Sequence, residues 1–476
     1  MSDALELLGQ ALETYETRYP RPGWAEQDAA RWEAALPRAI AAALEAAGEP
    51  RDAIRAVGLS GQLDSCLAVD RDGHAITPCL IWMDRRAAAE IVGLSATQVR
   101  DVSGVTLDPS HMAAKIRWLV RHHPEARHAA CFHQAVSYMV NRLTGEHVYD
   151  HGLASTTMLY SLKTRGYDNA LLDAFEVESG RLPAIADAGS PAGLLSTAGA
   201  GLCGLPAGIT VAVGTGDDFA GPLGAGIVAP GTAVASLGTA EVVGALHGAP
   251  VIDKTGLVET HAYPGQSFYI ENPGWLSGGA LVWFAGTFGL DGVDAIDRLA
   301  ADVAPGCEGM SFLPALSGAM TPEWHPAARG CFYGLTPSHR LGHFARALHE
   351  ANAFAMADVL DRLRGLGVNV EAVRLIGGGA QSTVQAEIRA AVAGAPVELP
   401  VHQHTTPIGA AMLGALAAGL IPDMESAARR VGGSAAVIEP DPANAAPLVE
   451  ARARGRALYE TLRPLFAGKG GDPDRS

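Results

Sequence analysis

Three apolar strands in this chain each run directly into a glycine-rich turn, although they lie far apart in sequence. They are Val213-Gly214-Thr215-Gly216-Asp217-Asp218, Ser236-Leu237-Gly238-Thr239 and Ile376-Gly377-Gly378-Gly379-Ala380. Glycine removes the Cβ atom that would otherwise keep a ligand away from the backbone, so such turns bring N–H groups close to an anion. Taken together, the three stretches suit a cradle for phosphate groups with an acidic residue at its centre. A fourth turn of this kind, expected near the N-terminus, is missing.

At 476 residues the chain is too long for a single core and should form two domains. Glycine and proline are plentiful but fall between apolar runs, not in low-complexity tracts. Charges or glycines interrupt every apolar run before it reaches the length of a membrane span, and the acidic start Met1-Ser2-Asp3-Ala4-Leu5-Glu6 does not resemble a secretory signal. A cytoplasmic protein with no membrane partner is the expectation. The formal charge of −16 argues against nucleic acid as a partner but leaves room for a small anion held by local N–H groups. The six cysteines, Cys66, Cys79, Cys131, Cys203, Cys307 and Cys331, have no CxxC spacing and read as reduced thiols. The pairs His122/His123 and His402/His404 lack a third ligand nearby in sequence, so no metal ligand is assigned.

Short apolar runs alternate with helical patterns along the chain, which points to an α/β architecture. Residues 54–59 and 210–213 read as strands. Residues 113–122 read as a helix with Ile116, Leu119 and Val120 inward and Lys115, Arg117 and Arg121 outward. Further on, 233–237 is a strand, and Phe344, Leu348, Ala351, Ala355, Val359 and Leu363 recur at helical spacing. Gly365 and Gly367 can end that helix, a strand follows at 373–376, and a small-residue helix at 410–418 closes at Gly419. The glycines and proline at 224–230 mark a boundary, giving domains at 1–226 and 227–467 and a polar tail at 468–476 that is expected to be disordered.

Asp217 follows a strand and a Gly-Thr-Gly turn and precedes what reads as a helix start. An Asp-Asp pair there can serve as a cap, or Asp217 can accept a proton from a substrate hydroxyl. Gly238-Thr239 and Gly377-Gly378-Gly379-Ala380 are candidate nucleotide contacts. Gln62-Leu63-Asp64 is either a turn before the next strand or a site for vicinal hydroxyls. Ile81-Trp82-Met83-Asp84-Arg85-Arg86 offers an aromatic face for a sugar skeleton, or a core tryptophan beside a structural ion pair.

In combination these residues resemble the FGGY family of carbohydrate kinases, most of all its xylulokinases, over nearly the whole chain from about Leu8 to Phe466. Pro22-Gly23-Trp24-Ala25-Glu26-Gln27-Asp28, Gly58-Leu59-Ser60-Gly61-Gln62, Lys115-Ile116-Arg117-Trp118-Leu119, Leu143-Thr144-Gly145 with Asp150, and the run from Leu316-Ser317-Gly318 to Gly334-Leu335-Thr336 match family segments in order. The resemblance implies an actin/hexokinase-like (ribonuclease H-like) ATPase fold with an interdomain cleft. It also implies ATP and Mg²⁺ as cofactors and a sugar as the small-molecule partner, while homodimerisation stays open. Asp217 takes the role of general base, and Gln62, Leu63, Asp64, Trp82 and Asp218 the sugar site. Gly238, Thr239, Gly377, Gly378, Gly379 and Ala380 fall on the ATP-binding turns.

Three departures stand out. Asp218 replaces the asparagine usual in xylulokinases. Leu63-Asp64 replaces a Met-His pair, and glycerol kinases carry an acid at the position of Asp64. The opening strand and its Asp-x-Gly-Thr turn are not seen, because the chain starts around the family's second strand; a misassigned start is expected. Phosphorylation of D-xylulose or a related ketose is therefore the leading expectation. A truncated sugar- or nucleotide-binding protein is the second, and a sugar-independent actin-like ATPase the third.

Overall fold

The computed structural model describes residues 1–402 and 404–466, so the tail read at 468–476 lies outside the described residues. The second half is built on an eight-stranded sheet among the described residues. Its centre is parallel: Gly231–Leu237 lies beside Val370–Ile376, which lies beside Val397–Pro400. Ala233, Val234 and Ala235 are fully buried. Burial on both faces of a parallel sheet is why such a segment reads as an unbroken apolar run instead of an alternating one. The helices Leu341–Gly365 and Thr383–Ala393 pack on each other and on this sheet. The long helix ends where its periodicity stops, and Gly367 turns the chain at φ +86°.

On the other side the sheet continues antiparallel through Ala240–His247, Phe268–Glu271 and Glu259–Ala262. This last strand would be an open edge. Residues of the first half cover it: Thr260 N–H donates to the Gly104 carbonyl at 3.0 Å, Ala262 N–H to Ser155 Oγ at 3.0 Å, and the Glu259 carboxylate accepts from Thr106 N–H at 2.8 Å. A capped edge exposes no unpaired ladder. The same bonds bring one wall of the second half against the first.

The first half has shorter strands. Ala56–Val57 runs parallel to Thr210–Ala212, and Ser60–Gly61 runs parallel to Thr215–Gly216. The strand read at 54–59 is thus two short pieces, broken where Gly58 lies against the carbonyl of Ala410. Two helices join the halves, Asp217–Gly224 and Thr405–Ala417. They cross on glycine: a Cβ at Gly224 would sit 1.9 Å from the Thr405 carbonyl oxygen, and one at Gly409 would sit 2.0 Å from that of Ala220. Backbone-to-backbone contact of this kind fixes where the Asp217 helix begins relative to the second sheet.

Candidate active site

Strand register assembles the first part of the site. Ser60 lies opposite Thr215 and Gly61 opposite Gly216, so the two chains leave their strands side by side. The exits are Gln62-Leu63-Asp64 on one strand and Asp217-Asp218 on the other. Leu63 is buried, and a Cβ at Gly216 would come within 2.7 Å of its Cγ; the leucine is packed under the Asp217 turn. Thr215 Oγ1 donates to Asp150 Oδ2 at 2.7 Å, and Asp150 caps the helix His151–Ser155, which anchors the turn from below. Gln62 Nε2 donates to Gln27 Oε1 at 2.9 Å, and Gln27 in turn donates to Thr17, so Gln62 is held by the early Trp-x-Glu-Gln-Asp segment.

Asp64 has φ +52°, a left-handed conformation that is uncommon outside glycine. Two side chains hold it there: His111, at the N-cap of the helix Met112–His122, and Lys115 within that helix. His111 Nδ1 lies 3.0 Å from its carboxylate, and Lys115 Nζ donates both to its backbone carbonyl and, at 2.7 Å, to that of Ile81. Lys115 was expected to face outward from its helix; it is fully buried, and the correction has a clear cause. The ammonium finds carbonyl partners that a helical wheel cannot show, and a buried charge needs such partners. By tying Asp64 to Ile81, Lys115 also sets Trp82 beside the site, with its indole half exposed. The neighbouring Asp84–Arg86 pair is structural: the Asp84 carboxylate accepts from Arg86 Nε at 2.8 Å and from Ala25 N–H at 2.7 Å, while the Arg86 guanidinium stacks 3.8 Å from the Trp24 ring centre.

The electrostatics follow from burial and close charges. Burial raises the pKa of Asp217, and the N–H groups of Asp217 and Asp218 at the helix start draw it back down. Burial pushes Asp218 up to about 8, helped by the charges of Asp217 and Asp64. No cation lies within salt-bridge reach of either acid among the described residues. Burial and mutual repulsion favour the protonated form in this pair, which titrates as a unit. Asp64 behaves oppositely. Burial disfavours its charge, but His111 and Lys115 outweigh burial and hold its pKa low. His111 is drawn up to about 9, the pull of Asp64 exceeding the cost of burial.

A second cluster arrives from the edge strands of the other half. Glu259 pairs across the ladder with Glu271, and His261 with Tyr269. His261 Nε2 lies 3.6 Å from Glu271 and 3.9 Å from Glu259. Burial brings His261 down to about 4, and burial followed by the charge of Asp218 raises Glu271 well above the carboxylate range. Burial thus favours the neutral form of each. His261 Nδ1 and Glu271 Oε2 are buried without a hydrogen-bond partner among the described residues. Sequence reading missed His111, Glu259, His261 and Glu271; the alternation of Glu259, His261 and Glu271 with apolar residues on two strands was the available signal.

The glycine turns form the third part. Gly238 and Gly377 follow the parallel neighbours Gly231–Leu237 and Val370–Ile376, whose ladder pairs Ser236 with Ile376. Ligands of open α/β sheets bind beyond such carboxyl ends. Gly377 has φ +85°, and a Cβ there would lie 3.0 Å from the Leu237 carbonyl oxygen. Space is open beyond Gly378, where a Cβ would meet nothing within 4 Å. Gly279 N–H, in the first turn of the helix Gly278–Phe288, donates to the Thr239 carbonyl at 2.9 Å, so a helix N-terminus abuts this cradle. Ala380 is buried beneath it. Finally, a Cβ at Gly221 would sit 3.1 Å from Ile376 Cδ1. Asp217 is four residues before Gly221 on one helix, about 6 Å of rise, which puts the acid close to the residue preceding Gly377.

Two family models match the chain. The N-terminal domain of the FGGY family of carbohydrate kinases covers residues 1–224, and its C-terminal domain covers residues 233–418. The chain belongs to the FGGY family of carbohydrate kinases. Among its relatives, a glycerol kinase of Citrifermentans bemidjiense is 34% identical over 438 residues, covering 87% of this chain and 86% of the relative. A xylulose kinase of Escherichia coli is 30% identical over 477 residues, covering 97% and 96%. A solved structure of a xyloylose kinase from Brucella ovis superposes with a TM-score of 0.87 at 30% identity, covering 94% of this chain and 93% of that one. The FGGY chain thus has the two-domain α/β fold of the actin and hexokinase type and is a sugar kinase. No helix among its described residues is long and apolar enough to cross a membrane.

Proposed function

We propose that this FGGY kinase transfers the γ-phosphoryl group of ATP to a hydroxyl of D-xylulose or a related ketose, with Asp217 as the general base. One observation carries the reading: an acid with no cationic partner heads the helix that runs from the Gln62–Asp64 exit to the residue before Gly377. An acid placed there faces sugar on one side and phosphate on the other.

The roles follow from the geometry. The Gly238-Thr239 and Gly377-Gly378-Gly379 turns offer N–H groups and open space for phosphate oxygens. The Asp217 carboxylate, which has no basic neighbour, would help to hold a Mg²⁺ ion, and such an ion would supply charge neutralisation at the transferred group. On the sugar side, Asp64, fixed by His111, and the unpartnered His261 Nδ1 and Glu271 Oε2 are placed to bond hydroxyls. The indole of Trp82 supplies an apolar face. Asp217 then takes the proton of the attacking hydroxyl.

The Asp218 proton has a measurable consequence. Below about pH 8 Asp218 is neutral; above it, a second carboxylate charge stands beside the phosphoryl group. Turnover should therefore decline through about pH 8, and Asp218→Asn should abolish that alkaline limb. Stability follows the same proton. Unfolded Asp218 ionises near its ordinary 3.8 and folded Asp218 near 8, so the stabilising contribution is complete below the first value and gone above the second. Asp218→Asn should raise the thermal midpoint more at pH 8 than at pH 5. An alkaline limb that survives the substitution would remove Asp218 from the site.

A second reading, a polyol such as glycerol, is favoured by one observation: the carboxylate of Asp64 stands where xylulokinases have histidine. Initial rates of ADP release over a panel of ketoses and polyols separate the two. The ketose reading predicts that D-xylulose or a close relative gives the highest kcat/KM, and that Asp64→His leaves ketose turnover within about tenfold while depressing any polyol activity. A panel in which glycerol leads and every ketose is inert rejects it.

A further inference from the structure

A group of side chains that phosphoryl transfer does not use has the composition of a metal site. Cys131 and His133 are alternate residues of the strand Cys131–His133 and so project from the same face. His147 reaches them from the loop between the helix Ala135–Thr144 and the strand Val148–Asp150. Cys131 Sγ and one ring nitrogen of each histidine lie within 4.8 Å of one another. His133 Nε2 is 2.8 Å from His147 Nδ1, with the rings stacked at 28°.

We propose that Cys131, His133 and His147 bind a zinc ion. Thiolate and imidazole are the ligands this borderline ion prefers, and its bond lengths of roughly 2.0–2.3 Å put tetrahedral ligands about 3.5 Å apart. The observed spacing reaches that arrangement through small side-chain rotations. An outer partner is in place: His133 Nδ1 lies 3.0 Å from Ser137 Oγ, which also accepts from Gln134 N–H at 3.1 Å and lies 3.1 Å from the Gln134 carbonyl. With the hydroxyl proton on that carbonyl, Nδ1–H donates to Ser137 and the lone pair of Nε2 faces the site, the tautomer that a ligating histidine needs. Cys131 and His133 are buried, whereas His147 is half-buried, so an ion enters on the His147 side and water completes its shell. The ion would clip the strand Cys131–His133, which pairs with Leu67–Val69, to the chain leading into Asp150 and hence to the Thr215 bond beneath the active-site turn.

The test uses full-length enzyme stripped with a chelator and titrated with ZnCl₂ or CoCl₂ in excess MgCl₂. Magnesium occupies oxygen sites without competing for thiolate. Expected are one equivalent of tightly bound zinc, a thiolate-to-cobalt charge-transfer band with Co²⁺, and a higher thermal midpoint on zinc addition. Cys131→Ser should lose the band and the thermal response. His147→Ala, in a half-buried loop where the fold tolerates change, should bind zinc at least tenfold more weakly while its kinase turnover shows that it is folded. Absence of a tight equivalent in the wild type, a cobalt band that persists in Cys131→Ser, or equal zinc affinity in His147→Ala would each overturn the proposal.

Discussion

Replacing Asp217 with Asn is expected to lower kcat for sugar phosphorylation by roughly 10²–10⁴-fold, the usual contribution of a positioned general base, while dissociation constants for ATP and sugar change only a few-fold. Three features lead to that split. The side chain takes part in no salt bridge among the described residues, so its loss breaks no structural link. The helix it heads is held by the glycine contacts at Gly224 and Gly409 and by the Thr215–Asp150 bond, all of which remain in the variant. Asn keeps the shape but cannot accept a proton. A loss confined to kcat identifies an interaction made only in the transition state. A variant with full turnover removes Asp217 from the chemistry, and one whose sugar affinity collapses as far as kcat makes it a binding residue instead.

The second large effect is on stability. Glu241 and Arg389 are almost fully buried and form a two-pronged pair, Nη1 to Oε1 at 2.5 Å and Nη2 to Oε2 at 2.8 Å. Glu241 lies two residues beyond Thr239, in a strand whose first residue accepts Gly238 N–H through its carbonyl at 3.0 Å. Arg389 belongs to the helix Thr383–Ala393 behind it. Glu241→Ala leaves a buried guanidinium with no counter-charge, which costs about 3–5 kcal/mol. The double variant Glu241→Leu/Arg389→Met should recover most of that loss, since an apolar pair of similar volume is often neutral. Urea unfolding of the single and double variants measures both. A higher KM for ATP is also expected in the single variant, because the pair braces the Gly238-Thr239 turn. A single-variant loss below about 1 kcal/mol would show that the pair is not holding this corner together.

The sequence was most readable where one physical demand dominates. The helix Leu341–Gly365 was legible from the 3.6-residue repeat of Leu348, Ala351, Ala355, Val359 and Leu363, although from Ala345 to Ala353 it is buried on every side. The centre of the strand Gly231–Leu237 is covered on both faces, so Ala233, Val234 and Ala235 could only be apolar. The turn at Gly377 was legible because its contact with Leu237 excludes a side chain. Strand lengths in the first half were overestimated, since Gly58 interrupts the ladder for the sake of a helix more than 350 residues downstream. Lys115 was misplaced for a similar reason: its partners, the carbonyls of Asp64 and Ile81, are distant in the chain. The cluster of Glu259, His261 and Glu271 looks in sequence like the wet face of an edge strand. Only its burial against the first half sets these groups near the acids and raises the pKa of both glutamates.

The most direct test of the central claim follows the phosphorus. Purified enzyme with Mg-ATP and the preferred sugar, observed by ³¹P NMR, should convert the γ-phosphate into a sugar phosphomonoester in step with ADP, with no ADP formed when sugar is omitted. Release of inorganic phosphate alone, at a rate indifferent to sugar, would contradict an Asp217 poised between a hydroxyl and the nucleotide.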